Sequence, residues 1–317
     1  MKAAAVRTAR IAVAGGLTAY ILWRSNPRQV LAVASDADWR PLTVAVLLVI
    51  VDRGLMAYRW IALLYTLDPV DRPPLGAILR VFFVSTFVGS FLPSVGGDAV
   101  RAYGIAKLRI RGGDAVASVF MDRMLGVAAL FLMALAGLTL AVQLARNWVI
   151  VAALAGAGGL CLTTLLLVFG PRRAFEAPLL LSALSRLPSA VQHAGHRLLE
   201  SIQRYAAHHA RLATVLACSV AVQAIRILQA YYLGLSLHID TPLAIYFAVI
   251  PLILLVMLLP ITISGLGTGQ AAFVWFFGQF GVPAPAAFAL SVLFVALGLV
   301  GNLPGGILYA GGSAGQD

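Results

Sequence analysis

The chain alternates long apolar stretches with short charged or proline-rich breaks. Residues 148–169, WVIVAALAGAGGLCLTTLLLVF, carry no charge, and residues 124–145 form a second such run. A run of about 20 apolar residues is what a helix needs to span the ~30 Å hydrocarbon core of a bilayer. Lipid offers no partners for backbone polar groups, so helices are the economical way to cross it. The pattern therefore predicts an all-α polytopic membrane protein, a single integral membrane domain over 1–317. Spans are expected at 9–23, 41–66, 114–142, 148–170, 212–237 and in a final helix closing near 302. That makes about six full transmembrane helices, with residues 24–40 left as a loop.

Two apolar stretches do not fit this scheme. The segment after residue 75 breaks at 91–103, FLPSVGGDAVRAY, where a proline, two glycines, an aspartate and an arginine interrupt the hydrocarbon. The turn before it, LDPVDRPP, and the cluster after it, with Arg101, Lys107, Arg109 and Arg111, are both expected on the cytoplasmic side. Two loops on one side cannot flank a single crossing. Residues 76–100 are therefore expected to enter the membrane and turn back, with Pro93, Gly96 and Gly97 at the tip. The stretch 258–273, LLPITISGLGTGQAAF, repeats the pattern with Pro260, Gly265, Gly267 and Gln270.

Glycine- and proline-broken apolar segments at matching places in two halves point to a transporter site. The expected units are 41–142 and 212–302, each a helix, a re-entrant hairpin and a helix. The first enters with a helix descending to the cytoplasm and the second with one rising from it. The two would then form an inverted repeat whose two hairpins meet near the midplane. The plainer alternative is that prolines and glycines punctuate two ordinary helical hairpins.

Composition agrees: 61% of residues are hydrophobic, 11% are charged, and the mean hydropathy is +0.93. Lys and Arg number 23 against 12 Asp and Glu, a net +11. In a soluble chain this excess suggests nucleic acid. Here the cations fall between spans, so topology and attraction to anionic headgroups account for them, and no nucleic-acid partner is expected. Lys2, Arg7 and Arg10 precede the first span and place the N-terminus in the cytoplasm. The start looks like a signal peptide with AVAS at 32–35 as a cleavage site, but Arg24 and Arg28 intervene, so the segment is kept as a span. Residues 171–211 are arginine-rich, with Val191, Leu198, Leu199, Ile202 and Tyr205 at near-helical spacing; a cytoplasmic amphipathic segment is expected there. From Thr241 to Gln316 there is no charge, so that half gives no orientation. Cys161 and Cys218 lie in apolar runs and predict no disulfide framework. The histidines of the 171–211 segment are read as surface residues, and no metal or cofactor is expected.

The motifs LPSVGGDAVRAY and ASVFMDRMLG, with LPITISGLG and NLPGGILYA later, resemble the flippase-like family. Its members are similar to the transmembrane region of bacterial lysylphosphatidylglycerol synthases and include stand-alone, hopanoid-associated inner-membrane proteins. The resemblance spans about 40–310. It implies a bacterial inner-membrane location and lipid translocation between leaflets. The synthases carry a large soluble domain after this region; this chain runs to Asp317, and synthase activity is not expected. The family's Arg-Glu pair in the second motif is replaced here by Gly269 and Gln270, while its Glu-Arg after the first hairpin survives as Asp122-Arg123.

Ionisable groups within a membrane cost roughly 2.5–3.5 kcal/mol each on insertion scales, so they are paired or functional. The candidates are Asp98, Arg101, Asp122, Arg123, Arg226 and the Asp52-Arg53 pair. With the tip residues they suggest a polar cavity for an anionic headgroup, with guanidinium groups and helix N–H groups as ligands. Each has a structural reading beside it. Asp98 could cap the following helix. Arg123 could pair with Asp98 or Asp122, though neighbours on a helix diverge. Arg226 could tie helices together, and Arg101 could be an interfacial cation.

The leading expectation is a non-enzymatic lipid transporter for an anionic, polyprenyl or hopanoid lipid. The alternative is a non-transporting membrane partner that presents lipid to a lipid-modifying enzyme; a homo-oligomer is also compatible. The re-entrant expectation has its own test. Cysteines introduced at Val70 and Leu108 should react with an impermeant thiol reagent from the same, cytoplasmic side. Labelling from opposite sides would replace the hairpin by a true crossing.

Overall fold

The structure, a computed structural model, describes residues 20, 22–23, 25–67, 73–92, 96–108, 110–140, 148, 151, 154–156, 158–159, 200–205, 207–258 and 267–312. Among these the elements are all helical: α1 (Pro27–Ser35), α2 (Trp39–Thr66), α3 (Leu75–Gly89), α4 (Gly96–Ala106), α5 (Gly112–Leu140), α6 (His209–Ser236), α7 (Leu243–Leu258), α8 (Thr268–Gly278) and α9 (Ala284–Gly312). The expected spans 9–23 and 148–170, most of 171–211, and Pro93, Pro260 and Gly265 fall wholly or largely outside the described residues.

Four described helices, α2, α5, α6 and α9, are long and apolar enough to cross a membrane. At 1.5 Å per residue, α3 with 15 residues and α7 with 16 reach about 22 and 24 Å, short of the ~30 Å core. The next described helix after each, α4 or α8, is 11 residues long. The helix lengths run 28, 15, 11 and 29 from α2 to α5, and 28, 16, 11 and 29 from α6 to α9.

The expected loop 24–40 is corrected in one respect, because α1 lies inside it. Pro27 presets the helical φ of the first turn, Val30 is buried, and the helix packs on α9. The start of α2 is set by Asp38, whose side chain accepts from the Arg40 N–H at 2.9 Å. Gly267 opens α8 at φ 84°, a conformation glycine adopts without strain.

The most extensive packing is between α2 and α6. The two run antiparallel. The Asp38 N–H donates to the Ser236 carbonyl at one end, Arg226 reaches Asp52 in the middle, and Arg59 reaches Ser219 beyond it. The next contacts are crossed: α5 lies on α7 and α9 lies on α3. Both crossings rest on a glycine. A Cβ on Gly137 would overlap the Phe247 carbonyl, and one on Gly305 would overlap the Phe83 carbonyl. Within membranes helices gain little from hydrophobic exclusion, so such backbone contacts carry much of the association.

Polarity is inside-out relative to a soluble protein. Leu47, Ile50 and Val51 of α2, Leu132 and Leu135 of α5, and Leu299 and Ile307 of α9 are exposed. Asp52, Arg59, Arg101 and Asp122 are buried. Lipid solvates the former and would penalise the latter.

Gly137→Ala and Gly305→Ala should each lower stability by about 1–3 kcal/mol through backbone overlap. Gly76→Ala, where an added methyl meets no atom within 4 Å, should be neutral or slightly stabilising. Thermal unfolding of the detergent-solubilised variants checks the ranking.

Candidate functional site

A cavity of about 370 Å³ lies between α2, α3, α4, α5, α6 and α7. Part of its lining is charged: Arg59 from α2, Asp98 and Arg101 from α4, Asp122 and Arg123 from α5, and Arg226 from α6. The part contributed by α7, with Leu254, Met257 and Leu258, is apolar. Four arginines against two aspartates leave the lining two positive charges in excess.

The charges arrive there through helix periodicity. Ala45, Val49, Asp52, Met56, Arg59 and Leu63 recur at alternating spacings of four and three, a single stripe along α2. On α5, Asp122 and Arg123 are neighbours and so face different partners. Asp122 turns to Arg59, whose Nε donates at 2.7 Å, and to Arg101, whose Nη1 stands 3.5 Å away. Arg123 turns to Asp98, with Nε 2.6 Å from Oδ2. The two charges of α5 thus tie it to α2 and, twice, to α4.

Arg101 is the most heavily held side chain of the site. It donates to Ser85 Oγ and Thr86 Oγ1, each at 3.2 Å. Its guanidinium lies 5.2 Å from the Trp60 ring centre and 4.8 Å from that of Phe82. Arg101 is buried within the protein, because α4 folds back against α3. The Cα atoms of Gly89 and Gly97 make this possible, since a Cβ on either would press on the other's backbone. Asp98 is the third residue of α4, inside its first turn, and not its N-cap. A carboxylate there still faces the positive end of the helix dipole.

Arg226 does both things considered for it. It lines the cavity, and its Nε donates to Asp52 Oδ1 at 3.2 Å. Asp52 also accepts from Arg53 at 3.2 Å, and Arg53 reaches on to the Gly298 carbonyl of α9. The structure therefore brings together Gly97, Asp98, Arg101, Asp122, Arg123 and Arg226. Gly96 stands off the cavity against Leu92. Gly267 and Gln270 are also outside the lining: the Gln270 side-chain oxygen accepts from the Gly267 N–H at 2.5 Å and closes the start of α8.

Sequence reasoning missed Arg59, Ser85 and Thr86. Arg59 was visible as a charge seven residues after Asp52, two helical turns along the same face. Ser85 and Thr86 read as ordinary helix residues, because the expected turn-back of 76–100 does not say which side chains meet on the return.

A family profile described as the lysylphosphatidylglycerol synthase TM region matches residues 7–305. No curated protein matches the chain.

Removing the Asp122 charge should leave two buried guanidinium groups facing each other. Asp122→Asn is expected to destabilise the fold by about 3–5 kcal/mol, the cost of breaking a buried ion pair from one side. Denaturation of the purified variant measures the loss.

Proposed function

The chain belongs to the family of the lysylphosphatidylglycerol synthase transmembrane region, and from that premise we propose that it carries a lipid with a phosphate-bearing headgroup between the leaflets of the bacterial inner membrane. One observation carries this reading: the lining of the cavity among the helices combines a charged set with an excess of arginine and an apolar set of leucine and methionine on α7. That is the polarity of an amphiphile at its glycerol or pyrophosphate junction. Guanidinium groups bind phosphate oxygens in pairs, and the first-turn N–H groups of α4 add a positive dipole end. The tail would stay in the bilayer.

Alternating exposure would come from an inverted repeat of two re-entrant units, α2 to α5 and α6 to α9. The equal helix lengths, the antiparallel α2 and α6, and the reciprocal glycine crossings of α5 on α7 and α9 on α3 support that arrangement. Rocking of one unit against the other about the α2–α6 contact would open the cavity to each side in turn.

The test is leaflet exchange in liposomes. The purified protein should accelerate movement of fluorescent phosphatidylglycerol, read by dithionite quenching. Asp98→Asn and Arg123→Ala should each slow it at least tenfold while melting like folded protein. Normal exchange in both variants would remove them from the site. Binding without exchange by the parent protein would favour a partner that presents lipid to an enzyme.

A further inference from the structure

The charges around the cavity are not equally held. Asp122 has 7% of its side chain exposed and sits between two arginines; Arg59, with 5%, also donates to Ser219. Arg101 is fixed by two hydroxyls and two aromatic rings. The Arg123–Asp98 pair is the accessible one, with 34% and 21% of the side chains exposed. An anion entering the cavity thus meets Arg123 first, and there it meets Asp98 as a competitor.

We infer that the phosphate displaces Asp98 from Arg123 and that Asp98 then takes up a proton, so that one proton travels with each lipid. This rests on the function proposed above and adds its coupling ion. The charges facing Asp98 decide the point. From α5 it sees Arg123 and Asp122, and from its own helix Arg101. The neighbouring α3 contributes Ser85, Thr86 and Gly89 to the cavity, none of them titratable, and Arg59 and Arg226 complete its charged lining.

Arg59 and Arg101 are committed to Asp122, and Arg226 to Asp52. With Arg123 given to the phosphate, Asp98 would face Asp122 and the lipid anion in a half-buried setting without its counter-ion. Like charges that close do not both stay ionised away from bulk water. Protonation relieves this, and the carboxylic acid formed can donate to a phosphate oxygen. The balance closes. The lipid brings one negative charge and the proton one positive, so the lining keeps its net charge. On release, Arg123 recaptures Asp98 and the proton leaves to the same side as the headgroup.

Calorimetric titration of the detergent-solubilised full chain with dihexanoylphosphatidylglycerol tests this, in buffers of high and low protonation enthalpy. The expected result is uptake of about one proton per lipid bound. By linkage, the Kd should rise up to tenfold per pH unit wherever the free Asp98 is ionised. Asp98→Asn should bind without proton uptake and without that pH dependence. Lipid binding by the parent protein with no proton uptake between pH 5.5 and 8 would overturn the coupling and leave the function standing. Uptake that persists in Asp98→Asn would overturn the assignment to this residue. No binding of the lipid at all would overturn both the function and its coupling.

Discussion

The carboxylate of Asp122, between Arg59 of α2 and Arg101 of α4, is the contact on which the bundle's interior depends. A half-helix such as α4 is not positioned by continuity with a membrane-crossing helix. Eleven residues long and preceded by a break, it needs an anchor of its own. Arg101 provides it by reaching Asp122, two hydroxyls of α3 and two aromatic faces. A buried ion pair contributes little net stability compared with apolar packing of the same volume. Its value lies in specificity: a guanidinium in hydrocarbon tolerates few positions, so α4 has few places to be.

That anchor works because the backbones can come close. Gly97 meets Gly89 where α4 returns along α3, and Gly137 and Gly305 let the long helices of each half seat on the short helix of the other. Small residues bring the helices near enough for arginine to span between them, and arginine then fixes their relative rotation. The chain has 30 glycines, yet these few contact another backbone within the described residues, while Gly54, Gly76 and Gly112 meet nothing.

Much of this was legible in the sequence. Run length gave α2, α5 and α6 within a few residues, and two of the glycines singled out, Gly96 and Gly267, stand at the starts of α4 and α8. Asp98, Arg101, Asp122, Arg123 and Arg226 stood out because charge in an apolar stretch is conspicuous, and all of them line the cavity. What stayed hidden was which side chains meet when one segment folds back on another. The burial of Arg101 required α4 to lie on α3, and its partners Ser85 and Thr86 carry no local signal. The echo between Gln270 and the first motif was misleading in a physical sense. A glutamine at a helix start has a backbone N–H within reach, and Gln270 bonds that of Gly267 in place of facing the cavity.

The two halves repeat each other in length but not in charge. From Thr241 onward the chain carries no ionic side chain before its last residue, and among the described residues every charge lining the cavity comes from α2, α4, α5 and α6. A cavity charged on all sides would suit a small hydrophilic ion, and one apolar throughout would hold a tail. The lining instead joins charge from those four helices to the apolar side chains of α7. Under the proposed transport, α7 would offer an amphiphile an apolar surface while the charged helices hold its head. An arginine and a glutamate introduced at Gly269 and Gln270 should gain nothing: a Cβ at 269 would already stand 3.2 Å from Met257 Sδ, and Gln270 is engaged with the Gly267 N–H at the start of α8.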